Sequence, residues 1–197
     1  MLGDASLQTQ SSGKSWRLKH QMSARSSDYA ERLCSVFGKD WIPKEPHAIE
    51  RTNSQMLGFQ TLTSENLNQI ADLFMEKQEN GRYQKVYKPG LITKHVTDEA
   101  LAYWFMDDGG KGDFTPNEGK QIHIHTQGFT EKEVREMCKE LNEKFGLNTW
   151  AKPNKGAHLI AISGDSYERF RELVDPYLVD SMRRKLPSER KTKGRKS

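Results

Sequence analysis

The sequence predicts an α+β protein in which one chain contains two related halves. Leu2-Gly3-Asp4-Ala5 resembles Met106-Asp107-Asp108-Gly109, which lies 104 residues further along the chain. Cys34 and Cys138 are separated by the same step of 104 residues, and each lies in a helical pattern. Helical and period-two patterns follow each copy in one order: helix end, two strands, helix, two strands and helix. We therefore expect an αββαββα unit that occurs twice.

The first half contains elements that turn residues separate. Ser11-Ser12-Gly13-Lys14 lies between the first two strands, and Gly81 to Pro89 connects this half to the second. The predicted elements are strands at 6–10, 15–25, 41–50 and 55–62 and helices at 27–37 and 64–77.

The second half begins with an apolar helix for which Thr97 is a typical N-cap residue. Thr130 and Glu133 form a capping-box pattern that begins a second helix, and Gly146 is a natural residue to end it. Strands are predicted at 121–128, 148–153 and 157–163, and a closing helix at 165–175. The predicted organisation is a first half at 1–95, a second half at 96–187 and a basic, disordered tail at 188–197.

The composition excludes a membrane-spanning protein, since no stretch approaches the ~20 apolar residues that cross a bilayer. Hydrophobic residues make up 34% of the chain, and the mean hydropathy is −0.88. Met1 leads directly into polar sequence, so we expect no signal or targeting peptide. The two cysteines have no metal-binding spacing and are typical of free thiols in a reducing compartment.

Positive charge is concentrated near the end of the chain. The net charge is +4, but residues 183–197 contain eight Lys and Arg against one acid and carry +7, so residues 1–182 carry −3. If the chain binds nucleic acid, the remaining cations must therefore be concentrated on one face. The last ten residues have a second interpretation as a tail that only keeps the chain soluble.

Two predicted strands have a polar face without acidic residues. In 16–25 and 121–127, apolar side chains alternate with basic, amide and histidine side chains. A solvated face fits either strand, but Arg, Lys and Gln also pair with base edges, and acids there would be repelled by phosphate. No third ligand at zinc spacing accompanies the two histidines, so we expect no zinc site. The candidate DNA-binding residues are Arg17, Lys19, Gln21, Arg25, Gln121, His123, His125, Gln127 and Lys152.

Asp107 and Asp108 end the apolar helix, where the helix dipole disfavours negative charge by ~0.3–1 kcal/mol for each carboxylate. Solvent-exposed acids are one interpretation, but two acids at this position suggest that a cation compensates them. Mg²⁺ prefers carboxylate oxygen and combines one or two protein carboxylates with phosphate oxygens and water. The repeat supplies a matching carboxylate at Asp4. If the two helices pack side by side, Asp4, Asp107 and Asp108 are candidate metal ligands near a scissile phosphate.

The segment Leu101-Ala102-Tyr103-Trp104-Phe105-Met106-Asp107-Asp108-Gly109 resembles the nine-residue signature of the LAGLIDADG homing endonucleases. The resemblance covers essentially the whole chain and implies a pseudo-symmetric αββαββα duplication whose two antiparallel, saddle-shaped sheets form a DNA-binding groove. It implies that Asp4 and Asp108 are catalytic and hold Mg²⁺, with Mn²⁺ as a substitute. It also implies a catalytic lysine near the end of each half. Lys185 matches that pattern, and Lys85 matches it with Lys88 as an alternative.

The function that the resemblance implies is a site-specific endonuclease that makes a double-strand DNA break at an intron insertion site. It further implies a monomer that does not bind membranes and that works in a mitochondrion or chloroplast. Two alternatives remain open. The chain could be an RNA maturase that binds intron RNA and assists splicing of a group I intron, or a catalytically impaired relic that only binds nucleic acid.

The first copy of the signature is shorter than the second. Met1 aligns with Phe105, and the four apolar residues at 101–104 have no counterpart in the first copy. Each buried apolar side chain contributes ~1.5–3 kcal/mol to a typical stability of ~5–15 kcal/mol. We therefore expect a chain extended upstream to have a higher thermal midpoint than the 197-residue chain.

Overall fold

The computed structural model describes residues 1–51, 54–112 and 120–187, and the predicted tail at 188–197 lies outside these ranges. The first half contains the following strands and helices. They are β1 (Ser6–Gln8), β2 (Arg17–Ser23), α1 (Ser27–Phe37), β3 (His47–Arg51), β4 (Ser54–Gln60), α2 (Asn68–Phe74), β5 (Met75–Lys77) and β6 (Tyr83–Lys85).

A short helix, α3 (Leu91–His95), connects this half to the next. The elements of the second half are α4 (Asp98–Asp108), β7 (Gly109–Lys111), β8 (Ile122–Ile124), α5 (Glu131–Phe145), β9 (Thr149–Asn154), β10 (Ala157–Ile162) and α6 (Tyr167–Val174). A 3-10 segment at Asp180–Lys185 follows α6 near the end of the described residues.

The two halves contain equivalent four-stranded sheets. The strand order is β1-β2-β4-β3 in the first sheet and β7-β8-β10-β9 in the second, and every pair of neighbouring strands is antiparallel. This repeated order confirms the predicted α+β fold with two antiparallel sheets. One departure is that residues 1–4 form no helix, so among the described residues an opening helix occurs only in the second half.

Strand register extends the repeat to single residues. Ser6 pairs with Lys19 across β1 and β2, and Gly110 pairs with His123 across β7 and β8. These two pairs are related by the step of 104 residues that the sequence contains. Positions in the two sheets can therefore be compared one by one along β2 and β8.

The opening helix of the second half, α4, lies at the centre of the core. Its N-terminus is capped by the Thr97 side chain, which accepts a hydrogen bond from the Ala100 N–H at 3.2 Å. Phe105 packs edge-on against Phe170 of α6 with ring centroids 5.1 Å apart. Apolar side chains are buried around most of its circumference, at Leu101, Ala102, Trp104, Phe105 and Met106. Within the described ranges, no helix is both long and apolar enough to cross a membrane.

The longest helix, α5, begins and ends as the sequence predicts. The Thr130 side chain accepts from the Glu133 N–H, and the Glu133 carboxylate accepts from the Thr130 N–H at 2.7 Å, which completes the capping box. Gly146 ends the helix with φ of 67°, a left-handed conformation that favours glycine. The buried face of α5 packs on β9 and β10.

The predicted helix at 64–77 is wrong at its C-terminal end. The helix ends at Phe74, and the next residues form the hairpin β5–β6, whose turn contains Gly81 with φ of 77°. Tyr83 of this hairpin packs edge-on against Trp16, with ring centroids 4.8 Å apart. In this segment the local sequence pattern favours a helix, but the chain forms a hairpin that packs against Trp16, a residue far away in the sequence.

The predicted strands at 41–50 and 121–128 are shorter in the structure. The first begins only at His47, because two prolines before it have no N–H to donate to a strand ladder. The second ends at Ile124, after which a turn leads into α5. Both changes leave the sheet topology unaltered.

Candidate functional site

The two candidate catalytic carboxylates lie where the chain enters the first strand of each sheet. Asp108 is the last residue of α4 and directly precedes β7, and Asp4 is separated from β1 by one residue, Ala5. The two turns are in contact, since a Cβ atom on Gly3 would lie 2.2 Å from Oδ2 of Asp107. The backbone N–H of Asp4 donates a hydrogen bond to the same oxygen at 3.1 Å. The structure therefore brings the two copies of the signature together at one point.

Negative charge is crowded at this point. Burial, followed by the charges of Asp4 and Asp107, raises the pKa of Asp108 to about 7. Burial and the charge of Asp107 also raise the pKa of Asp4 above its ordinary value. Asp108 is partly buried whereas Asp4 is more exposed, and the negative charge of Asp4 disfavours ionisation of Asp108. A cation between them would relieve this repulsion.

Two lysines occupy equivalent positions beside the carboxylates. Lys85 Nζ donates to the backbone oxygens of Leu2 and Gly3 at 3.3 and 3.2 Å. Lys185 Nζ donates to the backbone oxygens of the two residues before Asp108, at 2.5 and 2.9 Å. Each ammonium group therefore binds the two carbonyls that precede the carboxylate of one half. Burial lowers the pKa of both lysines, and the nearby carboxylates oppose this effect.

Lys88, the alternative to Lys85, lies elsewhere. Its Nζ donates to the backbone oxygen of Asp72 on α2, and its side chain is exposed. Lys85 therefore has the geometry that matches Lys185, and Lys88 does not.

Asp107 has contacts that do not suit a metal ligand. Its Oδ1 atom accepts hydrogen bonds from the Tyr29 hydroxyl at 2.8 Å and from Nε2 of His20 at 3.2 Å, while Oδ2 accepts from Asp4. Its side chain is only 8% exposed. Burial acts to raise the pKa of Asp107, but the hydrogen bonds and charge of His20 and the Tyr29 hydroxyl outweigh it, and the pKa lies below its ordinary value. That Asp107 is a metal ligand stays a prediction, and it is a weaker candidate than Asp4 and Asp108 because both of its oxygens already accept hydrogen bonds from the protein.

The carboxylates of Asp4 and Asp108 fit a hard divalent cation better. Among the described residues, no group of three or more His, Cys, Asp or Glu side chains is arranged to hold a metal ion by itself. Mg²⁺ needs only one or two protein carboxylates when phosphate oxygens and water complete its shell. Such an ion would compensate the repulsion that the charge of Asp4 exerts on Asp108.

The candidate DNA-binding residues of the first half lie on the face of β2 that points away from the core. Arg17, Lys19 and Gln21 are partly exposed, while the residues that alternate with them are buried. The Arg17 guanidinium donates to the side chain of Gln8 at 3.2 Å, which orients it on this face. Arg25 is exposed but lies in the 3-10 turn after β2, so it is beside the sheet face and not part of it.

The corresponding residues of the second half form a connected cluster on the sheet. Gln121 Oε1 accepts from Lys152 Nζ at 3.4 Å and lies 3.0 Å from Nε2 of His123. Burial, with the charges of Lys152 and His125, lowers the pKa of His123 to about 4, so this ring is neutral at pH 7. His125 is exposed, and its Nδ1 atom lies 3.0 Å from the amide nitrogen of Gln127 in the following turn.

Comparison with known proteins identifies the family. Residues 1–170 match the LAGLIDADG DNA endonuclease family. The chain belongs to this family. The match confirms the resemblance that the nine-residue signature indicated, and it covers both sheets of the structure.

Three relatives illustrate the range of proteins that this LAGLIDADG chain resembles. A probable intron-encoded endonuclease 1 from Wickerhamomyces canadensis is 34% identical over 192 residues, which cover 94% of this chain and 80% of that protein. The solved structure of the homing endonuclease I-WcaI bound to its DNA recognition sequence has a TM-score of 0.85 at 33% identity, covering 94% of this chain and 81% of that chain. The cytochrome b mRNA maturase bI2 of Saccharomyces cerevisiae is 27% identical, covering 94% of this chain and 45% of that protein.

Three residues at or near the LAGLIDADG site are not among the candidates that the sequence predicted. His20 alternates with the polar residues of β2 and is buried, and because a buried histidine needs a polar partner, its place on the buried face was the available signal; in the structure the partner is Asp107. Tyr29 has the helical spacing that is typical of a core residue, and nothing in the sequence indicated that its hydroxyl binds a residue of the site. Trp150 is 40% exposed and lies two residues before Lys152 on β9, so both side chains are on the same face of the sheet.

Proposed function

We propose that this chain is a site-specific DNA endonuclease that cuts both strands at an intron insertion site. The observation that carries the proposal is the pair of equivalent carboxylate–lysine sites, Asp4 with Lys85 and Asp108 with Lys185, at the junction of the two halves. Two sites in one chain suit two phosphodiester bonds, one on each strand, so a monomer suffices.

The proposed chemistry is metal-dependent hydrolysis in which Asp4 and Asp108 hold Mg²⁺, with Mn²⁺ as a substitute. When bound, the ion supplies a Lewis acid that activates water and stabilises the leaving oxygen. The two carboxylates would position the ion, whose positive charge would favour their ionised forms against the burial and neighbouring negative charges that raise their pKa values. Lys85 and Lys185 hold the turns at the carboxylates through backbone oxygens and add positive charge where a phosphate would approach.

The proposed substrate is duplex DNA bound against the polar faces of the two sheets. Arg17, Lys19 and Gln21 lie on one face, and the cluster that contains Lys152 lies on the other. Basic and amide side chains of this kind pair with base edges and phosphates. The similar I-WcaI, bound to its DNA recognition sequence, supports this choice of substrate. We place the activity in a mitochondrion or chloroplast, as family resemblance implies.

A second candidate function is that of an RNA maturase, which the similarity to the cytochrome b mRNA maturase favours. The two functions make different demands on the site, because splicing assistance needs a binding surface and does not need the carboxylates. The retention of both carboxylates and both lysines favours the endonuclease.

Cleavage and splicing assays with one variant test the proposal. A supercoiled plasmid that carries the joined exons flanking the gene is incubated with the protein and Mg²⁺, and Asp108→Asn is assayed beside it. We expect the parent to produce linear DNA and the variant to produce none. Splicing of the intron RNA in vitro, measured with the same two proteins, identifies a maturase if both promote it equally and neither cuts DNA. Binding to the plasmid without cutting or splicing identifies a relic.

A further inference from the structure

The Asp107 carboxylate connects the two halves through hydrogen bonds from three groups of the first half. The donors are the backbone N–H of Asp4, the hydroxyl of Tyr29 and Nε2 of His20, at 3.1, 2.8 and 3.2 Å. Tyr29 and His20 are 1% and 3% exposed, so water competes little for these bonds. Because an ionised carboxylate can only accept, Nε2 of His20 is the donor to Asp107, and the other ring nitrogen is buried with no hydrogen-bond partner among the described residues.

Packing around the imidazole and phenol rings fixes them against Asp107. The His20 ring stacks on Phe59 with centroids 5.6 Å apart and an interplanar angle of 5°, and it meets the Tyr29 ring edge-on at 6.0 Å. The Tyr29 ring also stacks on Tyr103 of α4 at 6.2 Å. Rings held in this way cannot follow Asp107 if it moves, so the carboxylate is held in one position, and the Asp4 N–H is held with it.

This network occurs on one side of the molecular pseudo-symmetry only. The step of 104 residues, which strand register supports, relates Asp107 to Gly3 and His20 to Ile124. Gly3 has no side chain and Ile124 is a buried apolar residue, so neither can donate or accept the equivalent bonds. The N–H of Asp108 lies inside α4, whereas the N–H of Asp4 donates to a side chain from the other half.

We propose that Asp107 is a positioning residue for Asp4 alone, held in place by His20 and Tyr29, and that it makes the two cleavage sites unequal. The proposal rests on the proposed endonuclease function. The carboxylate of Asp107 fixes the backbone from which the Asp4 side chain extends, while the backbone at Asp108 is fixed by its own helix. Misplacement of a reacting group by about 1 Å can slow a reaction ~100-fold, so loosening Asp107 slows one strand cut far more than the other.

Strand-resolved cleavage rates test the proposal. A duplex of the joined exons is labelled differently on its two strands, and the first-order rate of each cut is measured for the parent, Asp107→Asn and Tyr29→Phe. We expect the ratio of the two strand rates to change at least tenfold in Asp107→Asn and about threefold in Tyr29→Phe, in the same direction. Nicked duplex then accumulates before the double-strand break.

Tyr167→Phe is the matched control for Tyr29→Phe. Tyr167 is also 1% exposed, and its hydroxyl donates a hydrogen bond of 2.7 Å, but to the backbone oxygen of Pro187 in the second half. Both variants lose one buried hydroxyl bond, and a merely structural effect of that loss slows both strands alike. An unchanged strand ratio in Asp107→Asn and Tyr29→Phe, or an equal change in Tyr167→Phe, overturns the proposal.

Hydrogen exchange of the Asp4 amide tests the positioning role of Asp107 independently of whether the protein cuts DNA. We expect that amide to exchange at least tenfold faster in Asp107→Asn than in the parent, with the exchange in α5 unchanged. A parent that cuts no DNA refutes the proposed function, and faster Asp4 exchange in the variant still supports the positioning role. An Asp4 amide that exchanges at the parental rate in Asp107→Asn overturns the positioning role, whether or not the parent cuts DNA.

Discussion

Replacement of Asp108 by asparagine should stabilise the metal-free protein and remove its response to Mg²⁺. The variant removes one of the crowded negative charges and keeps the size of the side chain. Burial and the charges of Asp4 and Asp107 raise the pKa of the Asp108 carboxyl from the ordinary 3.8 to about 7. A group whose pKa is raised in this way favours the folded protein only while it holds its proton.

The sign and size follow from this difference in pKa. Between pH 4 and pH 7 the folded protein binds a proton at Asp108 that the unfolded chain has released, so stability falls as the pH rises through this window. Three pH units at 1.36 kcal/mol each set an upper limit of ~4 kcal/mol. Because Asp108 is partly exposed, solvent screening reduces this to about 1–2 kcal/mol, which corresponds to ~2–8 °C in thermal midpoint.

Both the pH-dependent stability and the response to Mg²⁺ can be measured by thermal unfolding. The parent and Asp108→Asn are compared at pH 4.5 and pH 8, with EDTA or with MgCl₂. With EDTA we expect the variant to melt higher at pH 8 and at the parental temperature at pH 4.5. With Mg²⁺ at ten times its dissociation constant, the parent alone should gain ~1.4 kcal/mol. Asp180→Asn, at a fully exposed carboxylate, is the control and should change neither comparison. A variant that melts lower than the parent at pH 8 would show that the Asp108 carboxylate does not destabilise the metal-free protein, and an equal gain from Mg²⁺ would show that it does not bind the ion.

Three further predictions concern stability, catalysis and binding. Glu140→Gln should lower the free energy of unfolding, measured in urea, by about 2–3 kcal/mol. The reason is that this carboxylate, which is only 3% exposed, accepts hydrogen bonds from the N–H groups at the start of α3. An unchanged urea midpoint would contradict this role. Lys85→Met and Lys185→Met should each slow cleavage at least tenfold with DNA affinity retained, as measured by single-turnover kinetics and gel shift; Lys88→Met should leave the rate unchanged. Lys152→Met should weaken DNA binding and lower the slope of log affinity against log salt by about one if it contacts a phosphate, and a salt-independent parental affinity would argue against nucleic-acid binding altogether.

The parts of the fold that the sequence predicted depend on local signals. The capping box at Thr130 and the glycine at 146 fix α5 from residues within one turn of its ends. The alternation of apolar and polar residues in β2 predicted which face is buried, because successive side chains of a strand point to opposite faces of the sheet. The step of 104 residues predicted the duplication, and strand register agrees with it.

The parts that the sequence did not predict depend on contacts between distant residues. The hairpin β5–β6 lies in a segment with helical spacing, and it packs through Tyr83 against Trp16, which no local pattern encodes. The choice between Lys85 and Lys88 required knowledge of which ammonium group approaches Leu2 and its neighbour. At the site itself, the sequence predicted both adjacent aspartates as candidate metal ligands, although the signature indicated only Asp108 as catalytic.

Packing between the halves gives those adjacent aspartates different surroundings. Asp107 points into a buried set of hydrogen-bond donors from the first half, whereas Asp108 remains partly exposed beside the other carboxylate. Residues from the opposite half of a duplicated chain decide the environment of each, and a local sequence pattern contains no information about that pairing.

Mapping of the cuts on both strands of an end-labelled duplex of the joined exons tests most directly whether Asp4 and Asp108 are the metal-binding catalytic pair. We expect one cut on each strand with Mg²⁺, no cut with EDTA, and no cut at either position by the double variant Asp4→Asn/Asp108→Asn. Cutting by the double variant at the parental rate, or cutting that persists in EDTA, would contradict the assignment of these two carboxylates as the metal-binding catalytic pair.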